Sequence, residues 1–398
     1  MSRLNSIRRE LVGLWADGAG KTLLTIALGW GLLNGTRMIY PVLLPSFSAE
    51  YDLTLSTAGL LVTLLWLGYA VGQVPGGMLA DRRGERSVLT ASVSTVVVGL
   101  VVVLLAPTAA VLFGATALVG LGHSQYPVAR ITALSDLYPD RIGRALGVTM
   151  ATGDVGQTVL PPIASVLAAA VAWRLGLGFV LPLLCLIAAV IWLTLPAADP
   201  DDGDDASSES LRYVVGELRS PTLAVVGVIL FLFIFVWQTF SAFYPTYLVE
   251  QKGLSSTVAG VLFGLFFAVG VVVKPLAGAA YDRVGLRGSL PLVLLGSVVG
   301  LALLPFVDGL AGLAGVTVLA STMLGSGAIT QSYLAELIPA EIQGTGLGVV
   351  RSSASVLGAS GPVVFGAIAE RGYFDAGYLL LALIVGVGTL LTLRIPRE

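Results

Sequence analysis

The chain has 398 residues, of which 56% are hydrophobic and only 12% charged, whereas an average soluble domain carries about 25% charged residues; such a composition cannot clothe a water-facing surface. A formal net charge of -2, with the bases scattered instead of clustered, excludes the footprint of a nucleic-acid binder. A single cysteine, Cys185, and a single histidine, His123, exclude a disulfide framework and leave no cluster of metal ligands.

Residues 1–21 form an N-terminal cytoplasmic or interfacial segment in which Leu4, Ile7, Leu11 and Trp15 recur at helical spacing, the pattern of a helix lying on a membrane surface. The segment is too mixed, and the apolar run after it too long, for a cleavable signal peptide; that run is expected to stay as an anchor. Stretches long enough to cross a hydrocarbon core of about 30 Å as helices then recur along the whole chain. We read them as spans 1 to 12: 22–46, 57–79, 88–106, 109–134, 144–170, 176–196, 222–248, 256–280, 289–306, 310–335, 343–368 and 376–394. Barrel strands would instead alternate apolar and polar residues over about ten positions. The expected fold class is all-α, a polytopic membrane protein with twelve transmembrane helices.

Span 1 contains "LLNGTRMIYPVLLP", in which Arg37 shares a helical face with Trp30, Asn34 and Tyr40 or Pro41. A guanidinium at a span centre costs roughly 2.5–3.5 kcal/mol on insertion scales, so the stripe is expected to face the protein interior. The bland reading is an arginine bonded to carbonyls near a Pro41 kink; the sharper one is a ligand or coupling role. Span 4 carries His123, Tyr126 and Arg130 on one face, His123 either packing or titrating and Arg130 serving binding or gating. Span 5 carries Asp154 on a face with Met150, Gln157, Thr158 and Pro161. The stretch 197–221, crowded with Asp199, Asp201, Asp202, Asp204, Asp205 and Glu209, reads as an acidic cytoplasmic linker with a short surface helix from Glu209 to Leu218. It divides a bundle over 22–196 from a bundle over 222–398. In the second half Trp237 and Tyr244 offer aromatic walls, Lys274 precedes Pro275 and is close enough to the span end to snorkel, and Arg351 lies a turn from Ser355, before Gly358, Gly361 and Pro362.

Lysine and arginine orient the chain. With the N-terminus inside, 15 bases fall on the cytoplasmic side, three (Arg174, Lys252 and Arg371) fall outside, and four lie within spans. Both termini are expected in the cytoplasm.

The halves repeat. "GGMLADRRGERSVL" at 76–89 returns as "AGAAYDRVGLRGSL" at 277–290, so that Gly77, Asp81, Arg82, Gly84 and Arg86 become Gly278, Asp282, Arg283, Gly285 and Arg287, an offset of 201. "LYPDRIGRALGV" at 137–148 returns as "LIPAEIQGTGLGV" at 337–349, and "STAGLL" at 56–61 as "STVAGVL" at 256–262. Parallel repeats of six spans are a transporter architecture.

The duplicated Gly-x3-Asp-Arg-x-Gly-x-Arg-x2-Leu loop resembles motif A of the major facilitator superfamily, and with the repeat the resemblance covers essentially the whole chain. It implies two six-helix bundles rocking about a central cavity, with the motif latching the outward-open state, and a monomer. Glu85 stands where that motif is often basic, which implies a modified latch. Thr116 stands where the fourth span usually has an arginine before Gly120-Leu-Gly122. "GDVGQTVLPPI" in span 5 only loosely resembles the antiporter motif, because Leu160 replaces a glycine. Arg37 ahead of Leu55-Ser56, together with "SQYPVARITALSDLYPDRIGRALGV", is similar to the organic-anion branch; "VVVKPLAG" with Lys274, together with Arg351, resembles the basic pair of monocarboxylate and oxalate carriers. Thr36 occupies the place of the acid that neighbours the first-span arginine in proton-coupled relatives.

Four buried cations against one buried acid favour an anionic ligand, since guanidinium forks suit carboxylates. The expected function is a secondary active transporter of a small organic anion in the cytoplasmic membrane, proton-coupled and working by alternating access. Arg37 and Arg351 would bind carboxylate from opposite halves; Lys274, Arg130, Asn34, Tyr40, Trp237 and Tyr244 would line the site, and Asp154 and His123 would carry the proton. A proton-linked exporter of drugs or amphipaths is the alternative, and a non-transporting receptor or assembly protein a remote one. No enzyme chemistry and no cofactor are expected: there is no P-loop and no catalytic cluster.

Overall fold

The computed structural model describes residues 19–196, 220–339 and 342–395, and within these the backbone is helical with no strand. The expected surface helix over residues 3–16 and the linker helix from Glu209 to Leu218 lie outside the described residues. So does the side chain of Asp81.

The described helices make the expected twelve crossings as two six-helix bundles. In the first half, span 1 is Ala19–Tyr51, with Pro41 and Pro45 inside a continuous helix. Span 2 is Leu55–Val71 followed by Gln73–Arg83, span 3 Glu85–Leu104, span 4 Ala109–Leu137 and span 5 Ile142–Ala170. Span 6 is Trp173–Gly178 and Leu181–Thr194. In the second half, span 7 is Pro221–Glu250, and spans 8 and 9 are the helical run Ser256–Leu303, interrupted at Gly285. Span 10 is Leu310–Ser321 and Ser326–Leu337 around a tighter turn at Thr322–Gly325. Span 11 is Gln343–Gly358 and Gly361–Glu370, and span 12 is Phe374–Leu391.

Seven of the helical stretches are long and apolar enough to cross a membrane on composition alone. Spans 1, 2, 4 and 5 fall short, and three of them carry Arg37, Arg130 and Asp154. Their placement rests on packing instead of hydropathy. Span 1 lies against span 5 so closely that a Cβ at Gly31 would come within 2.7 Å of the Thr152 carbonyl oxygen. In span 10 a run of hydroxyls returns hydrogen bonds to carbonyls three or four residues back, from Thr317, Ser321, Thr322 and Ser326. Such back-bonding loosens the helical ladder and accounts for the tightened turn there.

The two motif loops share a backbone signature. Gly84 has φ 72° and ψ 154°, and Gly285 has φ 64° and ψ -175°. That region is essentially restricted to glycine, so the sequence repeat encodes a repeated turn. Around the first loop, Arg86 stacks its guanidinium carbon 4.0 Å from the Trp192 ring centroid, tying span 3 to span 6.

The halves are tied to each other at the end of the molecule opposite these loops, here called the far face. The Ser56 amide, in the first turn of span 2, donates to Glu370 Oε2 at 3.0 Å at the end of span 11. Reciprocally, the Val363 amide in the first turn of Gly361–Glu370 donates to Thr63 Oγ1 at 3.2 Å. Each half thus caps an orphan amide of the other. A Cβ at Gly59 would come within 2.8 Å of the Pro362 carbonyl carbon, which shows how closely spans 2 and 11 cross. Spans 5 and 8 continue the seam, with Gly264 against Pro162. Within each half the far-face ends are pinned separately. Glu50 accepts from Trp173 and Arg174, while Tyr247 donates to Asp375 at 2.6 Å and Lys252 to Asp308 at 3.0 Å.

A Gly285→Ala substitution is expected to lower stability by about 1–3 kcal/mol, read as a lowered midpoint of thermal unfolding in detergent. A Cβ there meets nothing within 4 Å, so the penalty is one of backbone conformation. Gly278→Ala, at a helical site with equally open space, is expected to leave the midpoint unchanged or raise it slightly.

Candidate functional site: an arginine and aromatic cage

Arg37 is 5% exposed. Its guanidinium carbon lies 4.2 Å from the Trp66 ring centroid and 4.6 Å from that of Tyr69, and one terminal nitrogen donates to Asn34 Oδ1 at 2.9 Å. Asn34 is itself fixed by donating to the Trp30 carbonyl at 2.8 Å. The stripe expected on span 1 therefore faces inward, with Asn34 as the side chain that aims the arginine. Nε and Nη1 of Arg37 are buried without a hydrogen-bond partner. Cation–π contacts contribute roughly 0.5–2 kcal/mol each. They make the charge tolerable and leave it unneutralised, because a ring accepts no hydrogen bond in the guanidinium plane.

Arg130 repeats the arrangement one layer away. It is 3% exposed, stacks at 4.2 Å from the Trp30 ring, donates to Thr149 Oγ1 at 2.8 Å and keeps Nε without a partner. His123 stands between the two layers, edge-on to Trp30 at 5.8 Å and to Tyr69 at 5.1 Å. Tyr126 stacks on Trp30 at 6.2 Å and donates to the Ile26 carbonyl at 2.9 Å. Among the described residues, no acidic side chain forms an ion pair with either arginine.

This cage reaches the other half. Trp66 packs edge-on against Trp237 of span 7 at 4.9 Å, so the ring that carries Arg37 also forms part of the seam. Nearby, Lys274 of span 8 donates to Asp154 of span 5 at 2.5 Å, with side-chain exposures of 34% and 15%. Asp154 and Lys274 are thus one interdomain ion pair.

The remaining expected residues sit elsewhere. Arg351 is exposed and donates through Nη1 to Gln331 Oε1 at 2.6 Å in span 10; no described contact joins it to Arg37. Tyr244 is fully buried inside the second half, stacked on Phe240 at 4.6 Å with its hydroxyl on Thr317. Tyr40 is fully buried beside Phe47. Of the second motif, Asp282 and Arg283 are exposed and Arg287 is partly buried; Tyr281 beside them donates to Glu336 at 2.6 Å. Sequence reasoning missed Trp66 and Tyr69. Their signal was present, two large rings one helical turn apart in span 2 on a face shared with Thr63.

Comparison with known proteins agrees with this architecture. The sequence profile of the Major Facilitator Superfamily matches residues 25–331 and 226–398. The chain is 26% identical to the probable sulfoacetate transporter SauU of Cupriavidus necator, covering 90% of this chain and 89% of that protein. It is 24% identical to the hexuronate transporter of Bacillus subtilis, with 87% of each covered. Among solved structures, a bacterial homologue of the human lysosomal transporter Spinster, in an inward-facing and occupied conformation, superposes with a TM-score of 0.78 at 16% identity, covering 94% of this chain and 96% of that one. At that identity the likeness is one of fold.

The Asp154–Lys274 pair is expected to show in a double-mutant cycle. Asp154→Ala and Lys274→Ala should each destabilise the protein in thermal unfolding. The double variant should recover part of the loss, with a coupling on the order of 1–2 kcal/mol, reduced from a fully buried value by the lysine's exposure.

Proposed function

The chain belongs to the major facilitator superfamily, and on that basis we propose that it is a secondary transporter of a small organic anion, with Arg37 as the principal anion-binding group. The observation that carries this reading is the buried Arg37 guanidinium, set against the Trp66 and Tyr69 rings with Nε and Nη1 unpartnered. Unpartnered N–H groups on a buried guanidinium are the complement of a carboxylate. Two relatives whose names specify anionic cargo, sulfoacetate and hexuronate, support an organic anion over a neutral or cationic one.

Binding at Arg37 changes the charge beside Trp66, which touches Trp237 across the seam. An anion there adds attraction to the second half, where Lys274 supplies a cation, and lowers the cost of bringing the halves together around it. Arg351 would join only after span 11 moves relative to span 10. In the conformation described here the halves are joined at the far face by the Ser56–Glu370 and Thr63–Val363 ties. On the distribution of Lys and Arg, that face would lie outside.

Proton coupling would act at Asp154. Protonating its carboxyl removes the charge that holds Lys274, frees the ammonium for substrate and loosens spans 5 and 8. Proton and anion would then be linked through one interdomain contact. His123, edge-on to both layers of the cage, is the second group placed to respond to anion arrival.

In proteoliposomes, uptake of carboxylates is expected to fall about 100-fold in kcat/KM in Arg37→Ala, the loss typical of removing one partner of a desolvated charge pair. Uptake of cationic dyes that persists in this variant, with no carboxylate uptake by the wild type, would favour the exporter reading instead. Asp154→Asn is expected to abolish accumulation driven by a pH gradient while exchange of internal for external anion continues. Unchanged pH-driven accumulation would remove Asp154 from the coupling role.

A further inference from the structure

The interior of the first half holds more positive charge than one carboxylate neutralises. Arg37 and Arg130 are both more than nine-tenths buried, each is supported by a ring face, and each keeps Nε unpartnered. Among the described residues, Asp154, the acid of the seam ion pair, is already bound to Lys274. A structural role would leave Arg130 saturated by neutral acceptors, and its single described bond, to Thr149, does not saturate five donors. A monoanion on Arg37 would leave the second buried guanidinium uncompensated, the costly arrangement in a low-dielectric interior.

The two charges also stand on successive layers along one helix. Trp30, which carries Arg130, precedes Arg37 by seven residues on span 1, a backbone rise of about 10 Å. His123 fills the layer between, edge-on to Trp30 and Tyr69, with Nε2 buried and unpartnered. A chain of a few carbons between two carboxylates spans that interval once each carboxylate lies at hydrogen-bond distance from its guanidinium, with the apolar spacer against the ring edges and His123 offering a central polar contact.

We propose that the cargo is a compact dicarboxylate whose two acidic groups are taken by Arg37 and Arg130 on either side of the His123 layer. This rests on the anion-transport reading above and adds Arg130 as the residue that selects dianions over monoanions. The role is distinct from that of Arg37, which any carboxylate would use.

The test uses the full chain in proteoliposomes at pH 7, with succinate and glutarate as dianions and propionate and butyrate as monoanions. The wild type is expected to favour the dianions by at least about tenfold in kcat/KM, since one additional charge-assisted contact is worth a factor of that order. Arg130→Gln should lower dianion uptake by about tenfold or more, and by a larger factor than monoanion uptake. Arg37→Gln should lower both classes. Succinate should raise the unfolding midpoint of the wild type and not that of Arg130→Gln. This second readout needs no transport, and Arg130→Lys, which keeps the charge and loses the fork, should show an intermediate shift. Equal transport of monoanions and dianions, or equal losses of both in Arg130→Gln and Arg130→Lys, overturns the dianion assignment while leaving the anion transporter intact. Failure of the wild type to take up any carboxylate overturns both.

Discussion

A guanidinium does not shed its proton under any condition a membrane offers, so an arginine within a transmembrane helix must be given an environment. Arg37 obtains one from span 2, where Trp66 and Tyr69 present ring faces at 4.2 and 4.6 Å, and from span 1 itself, where Asn34 supplies one acceptor. The arrangement fixes the relative rotation of spans 1 and 2, because either helix turned by a quarter would expose the charge to lipid. It also leaves part of the charge unsatisfied. Span 4 answers the same constraint in the same way, with Arg130 over Trp30, and the two solutions share His123 as their common wall.

Motion follows from where the remaining charges lie. Each half is pinned internally at the far face by its own clamps, Glu50 with Arg174 in the first and Lys252 with Asp308 in the second. Among the described residues, the halves are joined to each other by two amide caps, one aromatic pair and one ion pair, together with the close crossings of spans 2 and 11 and of spans 5 and 8. Rigid halves with a separable seam are the physical requirement for alternating access. Two of these ties, Asp154 with Lys274 and Trp66 with Trp237, would feel the field of the anion proposed at Arg37.

Much of this was legible in the residues. The length of the apolar runs gave the crossings, and the offset of 201 gave the two halves. The inward face of span 1 was readable from Asn34 and Arg37 at helical spacing. What escaped was pairing between helices far apart in sequence. Asp154 and Lys274 were each recognised as interior ions, yet 120 residues separate them, and no local pattern brings them together. Arg351 read as the opposite clamp, but its neighbour is decided by the crossing of spans 10 and 11, which sets it on Gln331. The breaks within spans 2, 10 and 11 also escaped, because hydropathy is blind to a helix that tightens or restarts without losing apolar character. Trp66 and Tyr69 escape sequence reasoning because a ring's role here depends on the cation brought to its face by another helix.

The central claim is that the Arg37 edge, framed by Trp66, is where the anion binds. Tryptophan fluorescence tests it without requiring transport. Titration of the detergent-solubilised protein with a carboxylate should produce a saturable change in emission that is lost in Trp66→Phe, with affinity reduced at least about tenfold in Arg37→Gln. A carboxylate that binds Arg37→Gln with unchanged affinity would place the anion site elsewhere in the protein and contradict the account.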